Sequence, residues 1–151
     1  MTINPQDHKP AANFDEEMRL EPPLAAMTSQ GQFRMALYTD EQKKNLLGYL
    51  GTTKGNYATA VSKTDALTIE KYQYFAITCY RYGNRYLSVS TFAYAGWYLW
   101  NGATGWVLQP NGTFTSDWNG QNLSGGQQPT QGNYLYAWNA YPSLFIQPEA
   151  V

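Results

Sequence analysis

The sequence predicts an all-β fold built from three repeated units, and three observations lead to that expectation. Charged residues make up 14 % of the chain and aromatic residues 16 %, a balance unlike that of disordered chains or long helices. From Gly31 onward, short alternating apolar runs are broken by Gly, Asn and Pro, which is typical of strands and turns. Finally, Trp-Asn followed by an apolar strand ending in Gln occurs at 100–109 and again at 138–147.

The N-terminal segment, residues 1–30, differs from the rest of the chain. It holds Pro5, Pro10, Pro22 and Pro23 but few aromatic side chains. This composition predicts an extended or loosely docked tail ahead of a domain at 31–151. In the alternative interpretation, an apolar stripe of the tail docks on the core. The stripe consists of Phe14, Met18 and Leu20.

The repeats become visible when the chain is aligned on three strand-ending phrases, at 66–70, 105–109 and 143–147. About twenty positions before each phrase stands a central leucine, and these are Leu47, Leu87 and Leu123. We expect all three leucines to be buried around a pseudo-threefold axis. The expected units are about 31–70, 71–109 and 110–151, each with four short strands.

Three units of about forty residues, each with four strands, resemble the β-trefoil fold, the architecture of ricin-B-like lectins and of fascin. The resemblance covers roughly residues 31–151 and is to the architecture rather than to one subfamily. It implies that the first and fourth strands of each unit close a six-stranded barrel, which three hairpins cap at one end. A β-propeller also has four-stranded units, but it needs about four or more of them, and the chain has room for three.

Groups suited to catalysis are few. The only histidine is His8 in the tail, and the only cysteine, Cys79, alternates with Phe75 and Ile77, so it is expected in the core. One histidine and one cysteine cannot make the usual nitrogen and sulfur ligand set of a metal site. We therefore expect the protein to be non-enzymatic and to bind neither a cofactor nor a metal ion.

Charge and hydropathy limit the partners. The net charge is −1, and no Lys or Arg follows Arg85, so a nucleic-acid partner is not expected. The chain lacks an apolar run of about 18 residues, so no membrane span is expected. No apolar leader is visible at the N-terminus, and the single cysteine fits a reducing compartment. The expected location is cytoplasmic, or outside the cell after release without a visible signal peptide.

The sequence offers more residues suited to ligand binding than to catalysis. Most aromatic residues lie between Tyr72 and Phe145, and strand alternation sends about half of the strand residues outward. Exposed Trp and Tyr stack on the apolar faces of sugars, while Asn, Gln and Asp hydrogen-bond to hydroxyls. This pattern favours a lectin-like carbohydrate-binding module whose partner is a glycan or glycoprotein.

The β-trefoil resemblance implies a site in the third unit, because many trefoil lectins place an acid near this point of a repeat. Carried over by position, Asp117 would bind hydroxyls, Tyr136 or Trp138 would form the aromatic platform, and Asn139 would assist. In the second unit the counterparts would be Trp97 or Trp100 and Asn101, without an acid.

Two further observations bear on these aromatic residues. Trp118 and Asn119 lie in a stretch rich in turn residues, so we expect Trp118 to be exposed and both to join the site. Trp100 and Trp138 align with Val61 of the first unit, and repeat-matched apolar positions usually face inward. For those two tryptophans, both a core position and a site position remain open.

The alternative function is a non-catalytic protein-interaction module, such as a protease inhibitor or an anchoring subunit. Trefoils serve such a role through one exposed loop, and function does not follow from fold. The candidate loops are 38–45, the main charged segment of the domain, and 125–133, which is rich in Gly and Gln.

Overall fold

The computed structural model describes residues 4–5, 27–100 and 105–151. The prediction of an all-β class is confirmed, since these residues form twelve strands and no α-helix. His8, the stripe of Phe14, Met18 and Leu20, and Asn101 lie outside the described residues. The strands are β1 (Met27–Tyr38), β2 (Leu46–Thr52), β3 (Ala58–Val61), β4 (Ile69–Tyr74), β5 (Ile77–Tyr82), β6 (Arg85–Val89), β7 (Ala95–Tyr98), β8 (Trp106–Leu108), β9 (Phe114–Ser116), β10 (Leu123–Ser124), β11 (Tyr136–Ala137) and β12 (Phe145–Glu149).

The largest element is an antiparallel sheet of eight strands in the order β3-β2-β1-β4-β5-β6-β7, with β12 also pairing with β1. Strands β8 and β9 form a separate pair, as do β10 and β11. Within the described residues, the strand pairings do not close into a barrel. A large antiparallel sheet is therefore the architecture that the pairing establishes.

Strand β1 is long enough to join three neighbours. Its first half pairs with β4, from Met27 opposite Tyr74, and its second half pairs with both β2 and β12. The register shifts between Ser29 and Gln32, where Gly31 has a φ of 112°, a left-handed conformation that glycine adopts without steric cost. Because β1 begins at Met27, the sheet starts before the predicted end of the tail at residue 30.

Two residues of the predicted tail also contact the folded part. The Tyr94 hydroxyl donates a hydrogen bond to the backbone oxygen of Pro5 at 2.9 Å, and the Tyr141 hydroxyl donates to Oδ1 of Asn4 at 3.1 Å. Pro5 is buried. Asn4 and Pro5 are thus docked on side chains that follow β6 and β11.

The core is apolar and well supplied with rings. Trp106 and Phe114 stack with ring centroids 4.9 Å apart, and the Trp106 indole N–H donates to the backbone oxygen of Leu87 at 3.0 Å. Cys79 is completely buried, as the sequence predicts, and burial raises the pKa of its thiol to about 11. The thiol therefore stays protonated near neutral pH, as expected of a cysteine with a packing role.

Three hairpins, β2–β3, β6–β7 and β10–β11, meet one another. Isolated bridges join Tyr57 to Gly96, Thr59 to Tyr134, and Tyr94 to Tyr136, so each hairpin is bonded to the other two. The rings of Tyr57, Tyr94 and Tyr134 contact one another pairwise, with centroid distances of 4.7 to 5.9 Å. Long-range backbone pairing and an aromatic cluster thus hold the hairpins together.

The pairing register corrects the predicted repeat alignment. In the three hairpins, Leu50 lies opposite Ala60, Leu87 opposite Trp97, and Leu123 opposite Ala137. Leu50, Leu87 and Leu123 are all fully buried. Leu47 is only partly buried, so its predicted place in this set is wrong.

The alignment of the second unit with the third also differs from the predicted one. Tyr57, Tyr94 and Tyr134 occupy matching bridge positions, and four residues beyond each of them are Val61, Tyr98 and Trp138. The position of Trp138 is therefore matched by Tyr98 and not by Trp100. Both tryptophans are nonetheless largely buried, which favours the core position over the site position for each of them.

Candidate functional site

A cleft of about 640 Å³ opens between the first and third hairpins. Its walls come from three segments: the turn between β2 and β3, the loop between β10 and β11, and the start of the strand that leads into β11. The residues that matter for binding are Lys54, Tyr57, Gln127, Gln128, Tyr134 and Tyr136. We call this site the tyrosine cleft.

The tyrosines reach the cleft because of local chain geometry. Tyr134 and Tyr136 are two positions apart in extended chain, so their side chains project to the same face. Tyr57 approaches from the first hairpin, and its ring centroid lies 4.7 Å from that of Tyr134. The cleft therefore has an aromatic wall assembled from two hairpins that are far apart in sequence.

Tyr136 is fixed from several sides. Its ring contacts Tyr94 at a centroid distance of 5.1 Å and Tyr141 at 5.2 Å. Burial, followed by the neighbouring tyrosines, raises the pKa of Tyr136 to about 12. Its phenol is therefore neutral near pH 7 and remains a hydrogen-bond donor as well as an acceptor.

The loop at 125–133 forms the opposite wall, and its glycines set its shape. A Cβ atom on Gly125 would lie 2.8 Å from Cβ of Pro129, which leaves no room for a side chain. Gly126 has a φ of +87°, and a Cβ atom there would lie 3.4 Å from Cε2 of Tyr136. The loop thus folds back on itself and runs close beside the Tyr136 ring.

Two long-range hydrogen bonds attach this loop to the first hairpin. Nε2 of Gln131 donates to the backbone oxygen of Leu47 at 3.0 Å, and the Thr59 hydroxyl donates to the backbone oxygen of Asn133 at 2.6 Å. Gln127 and Gln128 remain exposed. The loop is anchored while two of its amide side chains face outward and border the cleft.

The site predicted around Trp118 has a different character. Trp118 is 50 % exposed, as expected for its turn-rich surroundings. Asn119, however, uses both ends of its amide inside the protein. Its Nδ2 donates to the backbone oxygen of Ala137 at 3.0 Å, and its Oδ1 accepts the Gln121 N–H at 3.0 Å. Asn119 therefore holds the 116–122 loop against β11, and its role in contacting a ligand stays a prediction.

Asn139 also fastens two segments together. Its Oδ1 accepts the Asn122 N–H at 2.7 Å, and its own N–H donates to Oε1 of Gln121 at 2.9 Å. The residue borders a shallow polar groove of about 520 Å³, and none of the described residues that line this groove is aromatic. Asn139 is exposed, and it does not line the tyrosine cleft.

Asp117 lies against the start of β8. Its N–H donates to the backbone oxygen of Gly105 at 2.9 Å, and a Cβ atom on Gly105 would lie 2.6 Å from its Oδ2. The Asp117 charge also contributes to the raised pKa of Cys79. Gly105 thus leaves room for the carboxylate on the β5 side of the loop.

The two remaining predicted tryptophans are packing residues. Trp97 is 0 % exposed, and its indole N–H donates to the backbone oxygen of Gly51 at 3.1 Å. No face of the ring reaches solvent, so the ring packs in the core. Trp138 is 9 % exposed and packs with Ala93 and Tyr141. Of the predicted site residues that the structure describes, only Tyr136 lines the tyrosine cleft.

Sequence reasoning missed Tyr57, Tyr134 and Lys54. One signal was available: "NYATAV" at 56–61 and "NYLYAW" at 133–138 each place a tyrosine directly after a turn, as does "AYAGWY" at 93–98. An alignment on these tyrosines reproduces the bridge positions of the three hairpins. The strand-ending phrases used for the prediction lie beyond loops of unequal length, so they misplace the hairpin register.

The described part of the chain contains no cluster of three or more His, Cys, Asp or Glu residues placed to hold a metal ion. It also contains no helix long and apolar enough to cross a membrane. Comparisons with protein-family models, with curated proteins and with solved structures found no match.

Proposed function

We propose that the protein is a non-enzymatic carbohydrate-binding module and that the tyrosine cleft is its glycan site. The observation that carries the proposal is a cleft of about 640 Å³ lined by the partly exposed rings of Tyr134 and Tyr136, together with the largely buried Tyr57. This volume lies within the usual range of small-ligand sites. The partly exposed rings of Tyr134 and Tyr136 provide apolar contact for the C–H faces of a sugar ring.

The opposite wall supplies the polar half of such a site. Gln127 and Gln128 each carry an amide with two donors and one acceptor oxygen, the complement of a sugar hydroxyl. The loop that presents them is anchored to β2 through Gln131. A site that is formed before ligand arrives loses less entropy on binding, which favours affinity.

We infer further that the sheet and its hairpins are arranged as a β-trefoil. Three features support this: the pairwise bridges among the hairpins, the matched burial of Leu50, Leu87 and Leu123, and the hydrogen bond from Ile146 N–H to the Gly112 oxygen. That last bond brings β12 close to the turn before β9, as barrel closure requires. In such a barrel β5 and β8, the first and fourth strands of the second unit, would lie side by side. An experimental structure in which these two strands diverge would contradict the inference.

A glycan array probed with the full chain tests the function most directly. We expect binding to one group of related glycans, weakened by Gln127→Ala and lost with Tyr136→Ala. Trp118→Ala is the matched control, because it removes an exposed ring outside the cleft. All three variants need thermal unfolding curves alongside, since Tyr136 is partly buried.

Two results would overturn the proposal. Absence of binding to every glycan, with the fold intact, would contradict the carbohydrate function. Loss of binding in Trp118→Ala, with normal binding in Gln127→Ala and Tyr136→Ala, would instead place the site at the 116–122 loop.

A second candidate function, a protein-interaction module, is favoured by the order of the 38–45 loop. The Asp40 carboxylate accepts the Lys44 N–H at 3.0 Å and the Asn45 N–H at 2.8 Å, while Lys43 adopts a φ of 58°. A charged loop that is fixed in one conformation suits a protease inhibitor or an anchoring subunit, because little entropy is lost on binding. Here Asp40→Ala should weaken binding to a protein partner and leave glycan binding unchanged.

A further inference from the structure

The charges around the tyrosine cleft indicate which class of saccharide it takes, an inference that rests on the proposed function. Among the described residues that line the cleft, Lys54 is the only charged side chain. Within the described residues, Lys54 has no ion-pair or hydrogen-bond partner for its side chain. The exposed Lys54 side chain therefore places an unpaired positive charge beside the tyrosine rings of the cleft.

The position of Lys54 is defined by a tight turn. The Thr53 N–H donates to the Tyr57 oxygen at 2.8 Å, and the Asn56 N–H donates to the Thr53 oxygen at 3.0 Å. The Thr53 hydroxyl also accepts the Tyr57 N–H at 3.1 Å. The same turn thus places the Lys54 ammonium group and the Tyr57 ring on one rim.

The other polar groups of the cleft are neutral. Tyr136 keeps its proton, since its pKa is raised to about 12, and Gln127, Gln128 and Asn133 are amides. None of the described residues that line the cleft is a carboxylate, the group that would fix two neighbouring hydroxyls of a neutral sugar by charge-assisted hydrogen bonds. Of the lining side chains that the structure describes, Lys54 alone can make a charge-assisted bond near neutral pH, and its partner would be an anion.

We propose that the tyrosine cleft binds an anionic saccharide, in which a carboxylate or a sulfate ester pairs with Lys54 while a ring face lies on Tyr134 or Tyr136. Both groups are oxygen anions that accept hydrogen bonds from an ammonium group. The aromatic wall holds the sugar ring, and Lys54 selects for its charge.

Calorimetric titration of the full chain with three oligosaccharides of equal length tests this proposal. One carries uronate carboxylates, the second is its neutral counterpart reduced to the alcohol, and the third carries sulfate esters on the neutral backbone. We expect one anionic form to bind at least about tenfold more tightly than the neutral form, the size of one hydrogen bond to a charged group. Which of the two binds identifies the source of the anion.

Variants separate a specific contact from general charge attraction. Lys54→Gln should reduce the affinity for the anionic saccharide to that of the neutral one, while Lys54→Arg should keep most of the preference. Lys44→Gln is the matched control, because it removes the same charge from an exposed loop that does not line the cleft. The preference should also weaken as salt is raised, as expected of an ion pair that is open to solvent.

The possible failures are distinguishable. Equal binding of the neutral and anionic forms, unaffected by Lys54→Gln, would overturn this inference and leave the carbohydrate function standing. Equal losses in Lys54→Gln and Lys44→Gln would also overturn it, because the attraction would then come from overall charge. Binding to none of these oligosaccharides and to no glycan on the array would overturn the carbohydrate function itself.

Discussion

The tyrosine cleft and the 116–122 loop both combine aromatic rings with side-chain amides, yet they are built for different tasks. In the loop, Asn119 and Gln121 hydrogen-bond to neighbouring backbone, and a single exposed ring, Trp118, remains. In the cleft, rings from two hairpins meet, and Gln127 and Gln128 stay exposed. The same residue types thus fasten the chain in one region and stay exposed in the other.

The largest effect is expected from removing the core beneath the first wall of the cleft. Leu50 is fully buried in β2, so Leu50→Ala should lower the free energy of unfolding by about 2–5 kcal/mol. Urea unfolding followed by circular dichroism measures this loss. The matched control is Leu46→Ala in the same strand, where the side chain is half exposed and the change should stay within about 0.5 kcal/mol. Similar losses for both variants would contradict the observed register of β2.

The next largest effect is expected on the free energy of unfolding at alkaline pH. The tyrosine cleft contributes a titrating group, Tyr136, to this pH dependence, whereas Trp118 does not titrate. Burial raises the pKa of Tyr80 and Tyr136 to about 12 and that of Cys79 to about 11. The folded chain thus keeps protons that the unfolded chain gives up at lower pH. The free energy of unfolding should be unaffected by these groups below about pH 8 and should fall as the pH rises to about 12.

Denaturant unfolding at a series of pH values measures that fall. Tyr136→Phe should make it shallower, because one of the titrating groups is removed, whereas Trp118→Ala should leave its slope unchanged. A stability that stays flat up to about pH 12 would show that the tyrosines are more accessible to water than their packing indicates.

A smaller effect is expected where an amide holds the loop in place. Asn119→Ala removes two hydrogen bonds, to Ala137 and to Gln121, and should cost about 1–3 kcal/mol of stability. Gln42→Ala, at an exposed position in the 38–45 loop, serves as the control and should cost almost nothing. If Asn119→Ala instead leaves stability unchanged and weakens glycan binding, Asn119 contacts the ligand and the 116–122 loop is the binding site.

The hydroxyl of Tyr141 provides a weaker test, on the side of the cleft where the N-terminal segment docks. Tyr141→Phe keeps the ring against Tyr136 but removes the hydrogen bond to Asn4. A loss of about 0.5–1.5 kcal/mol is expected in thermal or urea unfolding. The matched change Asn4→Ala should give a similar loss, and the double variant should lose little more than either single variant. Fully additive losses would mean that the two groups do not interact.

The smallest effect is expected at the exposed ring. Trp118→Ala should change the free energy of unfolding by no more than about 0.5 kcal/mol and should leave glycan binding unaltered. Differential scanning calorimetry and the glycan array measure the two outcomes. A large drop in melting temperature would show that Trp118 packs more tightly than its exposure indicates.

Local pattern was sufficient for several features of this protein. Alternating apolar residues between turn signals predict the all-β class, and the same alternation predicts the burial of Cys79. The turn residues around Trp118 predict its exposure. These features depend on a few neighbouring residues, and strand periodicity is a local property of the chain.

The register between hairpins and the location of the cleft are decided only in the tertiary structure. Leu50 rather than Leu47 matches Leu87, because β2 pairs with β3 in a register that places Leu50 opposite Ala60. An alignment on the central leucine of each unit cannot detect this shift of three residues, since both positions are leucines. The contact between Thr59 and Asn133 joins residues far apart in sequence. Whether an amide such as that of Asn119 or of Gln127 is used internally or faces solvent depends on which backbone lies beside it after folding. Composition records how many rings and amides a chain has, whereas long-range packing selects which of them meet and which remain free.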